Sequence, residues 1–172
     1  MILVGIGSNL PFCRANKEMV VARAISTLDR LFGVSASSSL YESPAWPNPS
    51  DPDYVNAVVR LESAPVPEEL LKSLNKIEAA FGRQRTTRNA PRSLDLDLLA
   101  YNSEIIESER LTLPHKRLHA RSFVLMPIAE IAPFWKHPTL NKSPDELLSD
   151  LGHCKIQRIM QKKSDRWLNL TK

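Results

Sequence analysis

The order strand, helix, strand, strand, helix, strand over the first hundred residues predicts an α+β fold, a ferredoxin-like antiparallel sheet with helices packed on it. Two observations carry this reading: three segments alternate apolar and polar residues at the strand period, and two others repeat apolar residues at the helical period. A chain of 172 residues with 42% hydrophobic residues has the size and composition of one domain, 1–172. Residues 134–172 form a carboxy-terminal extension to which the sequence assigns no role.

Each element has its own signal. The run Met1 to Ile6 is apolar, lacks a basic flank and breaks at Gly7-Ser8-Asn9. It is too short for a signal peptide or membrane span and reads as a buried strand. Val21, Ile25, Leu28 and Phe32 recur at the helical period between about 16 and 32, with Gly33 at the C-terminal cap. Val34 to Glu42 alternates with serines as a half-buried strand. Four prolines between Ser43 and Pro52 then impose an irregular loop. Tyr54 to Glu62 alternates again, with Val55, Ala57, Val59 and Leu61 on one side and Tyr54 and Asn56 on the other. A second helix starts at Pro67, carries Glu68 and Glu69 near the positive end of its dipole, and stops at Gly82. Ser93 to Tyr101 is the third alternating strand, and Glu104 to Leu113 returns as a hairpin. Helix is predicted over 117–132 with an interruption at Pro127, and over 144–151.

Charge is concentrated. Of the 23 basic residues, four arginines fall between Arg83 and Arg92, and the remaining 19 match the 19 acids. A focused patch suits a compact polyanion such as a nucleoside triphosphate, whereas nucleic acid usually needs a broader stripe. Cys13 and Cys154 have neither CxxC nor zinc spacing and read as free thiols in a reducing cytoplasm.

Asp95 and Asp97 lie two apart on a strand, so their carboxylates leave one face about 6–7 Å apart while Leu94, Leu96 and Leu98 anchor the other. Like charges in register repel unless a cation lies beside them. Taken alone, such a pair is an ordinary solvated face. Beside an arginine cluster it has the parts of metal-assisted phosphoryl transfer, with Mg²⁺ on carboxylate oxygens and substrate phosphates completing the shell. Glu78 falls inside the apolar stripe of the second helix and needs a partner, either a salt bridge or a ligand. Tyr54 and Asn56 offer an aromatic plate and an amide edge to a flat heterocycle. His115 and Arg121 add donors for phosphate, although a lone histidine is more often structural.

Gly7-Ser8-Asn9-Leu10, Asp53-Tyr54-Val55-Asn56-Ala57, Glu78 with Gly82-Arg83, Pro91-Arg92-Ser93-Leu94-Asp95-Leu96-Asp97, Leu113-Pro114-His115 and Arg121-Ser122-Phe123 together resemble the 6-hydroxymethyl-7,8-dihydropterin pyrophosphokinases of folate synthesis, from residue 1 to about 133. The resemblance implies ATP as co-substrate and two Mg²⁺ ions on Asp95 and Asp97. It implies a pterin held by Ser43, Pro44, Trp46, Tyr54, Asn56, Asp95 and Phe123. ATP contacts fall on Asn75, Glu78, Arg85, Arg92, Leu98, Arg110, Thr112, His115 and Arg121, with Arg85, Arg92, Asp95 and Asp97 as the catalytic set. The arginine segment is expected to order over the phosphates when both substrates bind. Departures from the family pattern are an arginine loop one residue shorter, Asn89 in place of a tryptophan, Lys116 in place of a tyrosine, and Trp46 in place of a smaller apolar residue. Two small-molecule substrates and no nucleic acid or membrane partner are expected. The alternative class is an RNA-binding module, since a ferredoxin-like sheet with a basic loop is also an RNA platform.

Overall fold

The apolar N-terminal run is an interior strand, β1 (Ile2–Ser8), in a computed structural model that describes residues 1–83, 90–152 and 156–159. Helix α1 (Lys17–Phe32) follows. Asn16 caps it by accepting the Met19 N–H at 2.9 Å, and Gly33 ends it at a φ of 69° that a side chain rarely adopts. Strands β2 (Val34–Ser37), β3 (Tyr41–Ser43) and β4 (Tyr54–Leu61) precede helix α2 (Pro67–Ala80) and strand β5 (Asp95–Tyr101). A small hairpin of β6 (Ile106–Glu107) and β7 (Thr112–Leu113) comes next, then α3 (Ser122–Ile131), α4 (Pro144–Leu151) and β8 (Gln157–Arg158).

Among the described residues the main sheet runs β5-β1-β4-β3-β8, with β2 also on β4, and all of its pairings are antiparallel. This is the ferredoxin-like arrangement expected of the sequence. Alternation decides which side chains meet the helices. Ile2, Val4 and Ile6 of β1, Val55, Ala57, Val59 and Leu61 of β4, and Leu96 and Leu98 of β5 pack with Val20, Val21, Ala24 and Leu28 of α1 and Leu70, Leu74 and Ile77 of α2.

Two expectations are corrected, and the second face of the sheet adds a feature. The strand read across Val34 to Glu42 is split into β2 and β3, because the Ser38 hydroxyl accepts the Val58 N–H at 3.0 Å where a backbone carbonyl would otherwise continue the ladder. The break predicted at Pro127 is instead at Arg121, where a short 3₁₀ turn (Leu118–Ala120) gives way to α3. Pro127 lies within α3, which continues past the one missing N–H. The face opposite α1 and α2 is not bare: Leu3, Val58, Leu99 and Ala100 are buried beneath Val124, Leu125 and Ile128 of α3. Residues past 133 join that layer, since Trp135 and Leu147 belong to the same buried cluster. Among the described residues no helix is long and apolar enough to cross a membrane.

Candidate active site

The half of this second face that α3 leaves uncovered is the floor of a cleft of about 620 Å³. Its centre line is β1, where Leu3 is followed by Gly5 and Gly7 on the same side. Gly7 pairs with Asn56 on β4 and with Asp95 on β5, and Gly5 pairs with Val58 and Asp97. A glycine floor thus separates an amide and aromatic strand from an acidic strand, with Asn56 and Asp95 about 10 Å apart across two strand spacings.

On the acidic side the carboxylates are matched by guanidiniums. Asp95 Oδ1 pairs with Arg83 at 2.6 Å and with Arg92 at 3.2 Å, and Asp97 Oδ2 pairs with Arg121 at 3.3 Å. Burial first, and the neighbouring Asp95 charge second, push the Asp97 carboxyl above its ordinary value. His115 is pushed down by burial. Its Nδ1 accepts the Arg117 N–H at 3.3 Å, so the neutral ring carries its proton on Nε2 and presents a donor there.

Glu78 is only 2% exposed; its Oε1 accepts the Leu96 N–H at 2.7 Å and pairs with Arg83. Burial raises its pKa against those stabilising bonds. The salt-bridge alternative is therefore the one seen, and through Arg83 it links the buried face of α2 to Asp95.

On the aromatic side Ser43, Pro44, Trp46, Tyr54, Asn56 and Phe123 all line the cleft. Asn56 Nδ2 donates to Ser43 Oγ at 2.9 Å and to the Tyr41 carbonyl at 3.3 Å, which fixes the amide and turns Oδ1 toward Gly7. Phe123 lies under the Arg121 guanidinium at 5.4 Å, and Trp46, 68% exposed, under that of Arg117 at 5.8 Å.

A second cavity of about 240 Å³ adjoins the first, sharing Asp97 and His115 with it. Leu98, Arg110 and Thr112 line it, as does Leu71 of α2. Asn75 lies one turn beyond Leu71 on the same helix, outside the lining of either cavity. Arg85, Asn89 and the expected ordering of the arginine segment lie outside the described residues, as does Cys154; Cys13 is a free, exposed thiol.

Three residues escaped the reading of the sequence. Arg83 stands in the arginine segment with no partner legible from spacing, and Arg117 carries no signal. Asn9 reads as part of a turn, yet it is 3% exposed and both ends of its amide are used. Its Oδ1 accepts the Arg92 N–H at 2.7 Å, its Nδ2 donates to the Pro52 carbonyl at 3.1 Å, and its own N–H donates to the Arg92 carbonyl at 3.2 Å. It pins an arginine of the acidic side to the loop that enters β4.

A family model for 7,8-dihydro-6-hydroxymethylpterin-pyrophosphokinase matches residues 3–133. A 2-amino-4-hydroxy-6-hydroxymethyldihydropteridine pyrophosphokinase of Synechocystis is 40% identical over 151 residues, 87% of this chain and 75% of that protein. The enzyme of that name from Haemophilus influenzae is 43% identical over 129 residues, 75% of this chain and 79% of the relative. A solved structure of wild-type Plasmodium falciparum HPPK-DHPS superimposes with a TM-score of 0.67 at 13% identity, which shows the shared fold. The match covers 87% of this chain and 44% of that longer one. With a family match over most of its length and relatives of this identity, the chain belongs to the 7,8-dihydro-6-hydroxymethylpterin pyrophosphokinases.

Proposed function

We propose that the cleft is where this pyrophosphokinase of folate biosynthesis moves the terminal diphosphate of ATP onto 6-hydroxymethyl-7,8-dihydropterin, releasing AMP. The observation that carries the reading is the row across three strands: Asn56 with neighbouring Tyr54 on one side, Gly7 between, and Asp95 with its arginines on the other. A flat heterocycle on the Tyr54 side would direct its hydroxymethyl group over the glycine floor toward the acids. The chain is read as one pyrophosphokinase domain, acting in the cytoplasm on two small molecules.

Tyr54 and Phe123 supply aromatic faces for the pterin ring, Asn56 Oδ1 an acceptor for its edge, and Ser43, Pro44 and Trp46 the wall around it. The second cavity is the nucleotide side, with Leu98 and Thr112 at its wall and Arg110 and His115 as donors. Asn75 and Glu78 support it from α2, and Arg85 is assigned to the phosphates. Asp95 and Asp97, two apart on β5 and both lining the cleft, offer a donor set of two carboxylates. That suits Mg²⁺, which takes one or two carboxylates and fills its shell with water and phosphate oxygens. Asp95 and Asp97 would hold two such ions, which neutralise phosphate charge when bound.

In the transfer, the hydroxymethyl oxygen bonds to the β-phosphorus while the bond from that phosphorus to the oxygen bridging to the α-phosphate breaks, and AMP carries the electron pair away. The hydroxyl proton passes to solvent or a carboxylate. Arg83, Arg92 and Arg121 already crowd the two acids, and they hold positive charge where the bridging oxygens become more negative. Glu78 fixes Arg83, and Asn9 fixes the backbone of Arg92, so these donors are oriented before substrate arrives.

An RNA platform would need the open strand face lined with aromatics. Here α3 covers part of that face, and the open remainder carries Asp95 and Asp97, which would repel a nucleic-acid phosphate in the absence of a cation. The test is AMP release from Mg·ATP with and without hydroxymethyl-dihydropterin. The reading requires AMP formation only when the pterin is present, and pterin-independent release would refute it.

A further inference from the structure

The residues past the family match return to the sheet beside the cleft. Strand β8 pairs with β3 so that Arg158 faces Tyr41 and Gln157 faces Glu42. Continued by one residue, this register sets Ile156 opposite Ser43, which itself pairs with Tyr54. The row Ile156, Ser43, Tyr54 therefore lies on one face, and all three residues line the large cleft.

The strand is held from its other end. Arg158 Nη2 donates to Ser39 Oγ at 2.5 Å and to Glu130 Oε1 on α3 at 2.8 Å. Glu130 Oε2 accepts the Ser39 N–H at 2.9 Å and the Tyr41 hydroxyl at 3.0 Å. The Ile159 N–H donates to the Leu40 carbonyl at 2.8 Å. Among the described residues β8 is two residues long and lies at the sheet edge, where a strand is weak by itself, so this cluster helps to place it.

We propose that the C-terminal strand is part of the pterin subsite, with Ile156 as an apolar wall for the bound heterocycle beside Ser43, and Arg158 as the positioning residue that holds that wall through Glu130. The inference rests on the reading of the cleft as the pterin site. It assigns a role to a stretch that lies outside the family match, 3–133.

The experiment measures KM for hydroxymethyl-dihydropterin and for ATP, together with Tm, in the full chain. Ile156→Ala is expected to raise the pterin KM roughly fivefold, as loss of apolar contact at a half-buried position should. ATP KM and Tm should stay at the parent values. Arg158→Ala should shift the pterin KM in the same direction by about twofold, with Arg158→Lys restoring it in part. Tyr54→Ala serves as the reference for the cleft itself. If Tyr54→Ala weakens the pterin and Ile156→Ala leaves it unchanged, or moves both KM values equally, the inference is wrong while the site reading stands. If neither variant affects the pterin, the cleft assignment falls and the inference falls with it.

Discussion

Two ends of one sheet face behave differently although the same strands run through both. At one end Leu3, Val58, Leu99 and Ala100 lie sealed under Val124, Leu125 and Ile128. At the other, Gly5, Gly7, Asn56, Asp95 and Asp97 line an open cleft. The change happens within two residues of each strand: Leu3 gives way to Gly5 on β1, and Asp97 gives way to Leu99 on β5. Apolar surface removed from water stabilises the first end. The second gathers like charges that only cations can reconcile. One end therefore holds the other in place, and stability and activity should respond separately to mutation.

The largest expected effect is on the sealed end. Leu125→Ala should lower stability by about 2–5 kcal/mol, read by denaturant unfolding, while kcat well below the melting range stays near the parent value. A parallel loss of kcat would mean that α3 shapes the chemistry as well as covering the sheet. Glu78→Ala acts at the junction, leaving the Leu96 N–H and the Arg83 guanidinium without their buried acceptor. A stability loss of about 3 kcal/mol is expected, accompanied by a fall in kcat because Arg83 loses its tether to α2. Retained kcat would detach Arg83 from the transfer step. On the open end, Tyr54→Ala should weaken the pterin by about 1–3 kcal/mol in calorimetry and leave ATP unchanged. Equal losses would assign Tyr54 to packing. The smallest effect is at Asn9, where replacement by Ala should cost about 1 kcal/mol of stability and reduce kcat more than either KM, since it removes the side-chain acceptor of the Arg92 N–H and loosens that backbone without removing the arginine's charge. A change confined to KM would sink that role.

Much of this contrast is visible in the sequence, and the illegible parts share a cause. The alternation of Leu94, Leu96 and Leu98 with Asp95 and Asp97 defines both faces of β5 from local spacing alone. Glu78 is equally legible, because a carboxylate in an apolar helical stripe must find a partner. Asn9 is not, since its decisive contact is to Arg92, 83 residues later. The cover over the second face is hidden for a similar reason: α3 is apolar on several sides and carries Pro127, which reads as a break. Local pattern reports which face a residue takes, but not what comes back from elsewhere in the chain to cover it. The split between β2 and β3 depends on a single hydroxyl, that of Ser38, replacing one rung. Strand β8 is hidden for the same reason as the packing of α3, because only its partner across the sheet makes it a strand.

The separation of the two ends is tested most directly at Asp97, by measuring Tm without metal or nucleotide and kcat with Mg·ATP and pterin on one preparation of Asp97→Asn. Burial and the Asp95 charge raise the folded-state pKa of this carboxyl above its unfolded value. The folded protein thus holds the proton more tightly, and stability is lost as pH rises from the ordinary carboxylate range through the raised value. Above that window the cost is fully present. The variant should therefore keep or gain Tm near neutral pH, with the gain shrinking in acid, while kcat falls more than tenfold, above about 1.4 kcal/mol of transition-state stabilisation. Retention of more than about a tenth of the parent kcat, or a loss of Tm in step with the loss of kcat, would contradict the account.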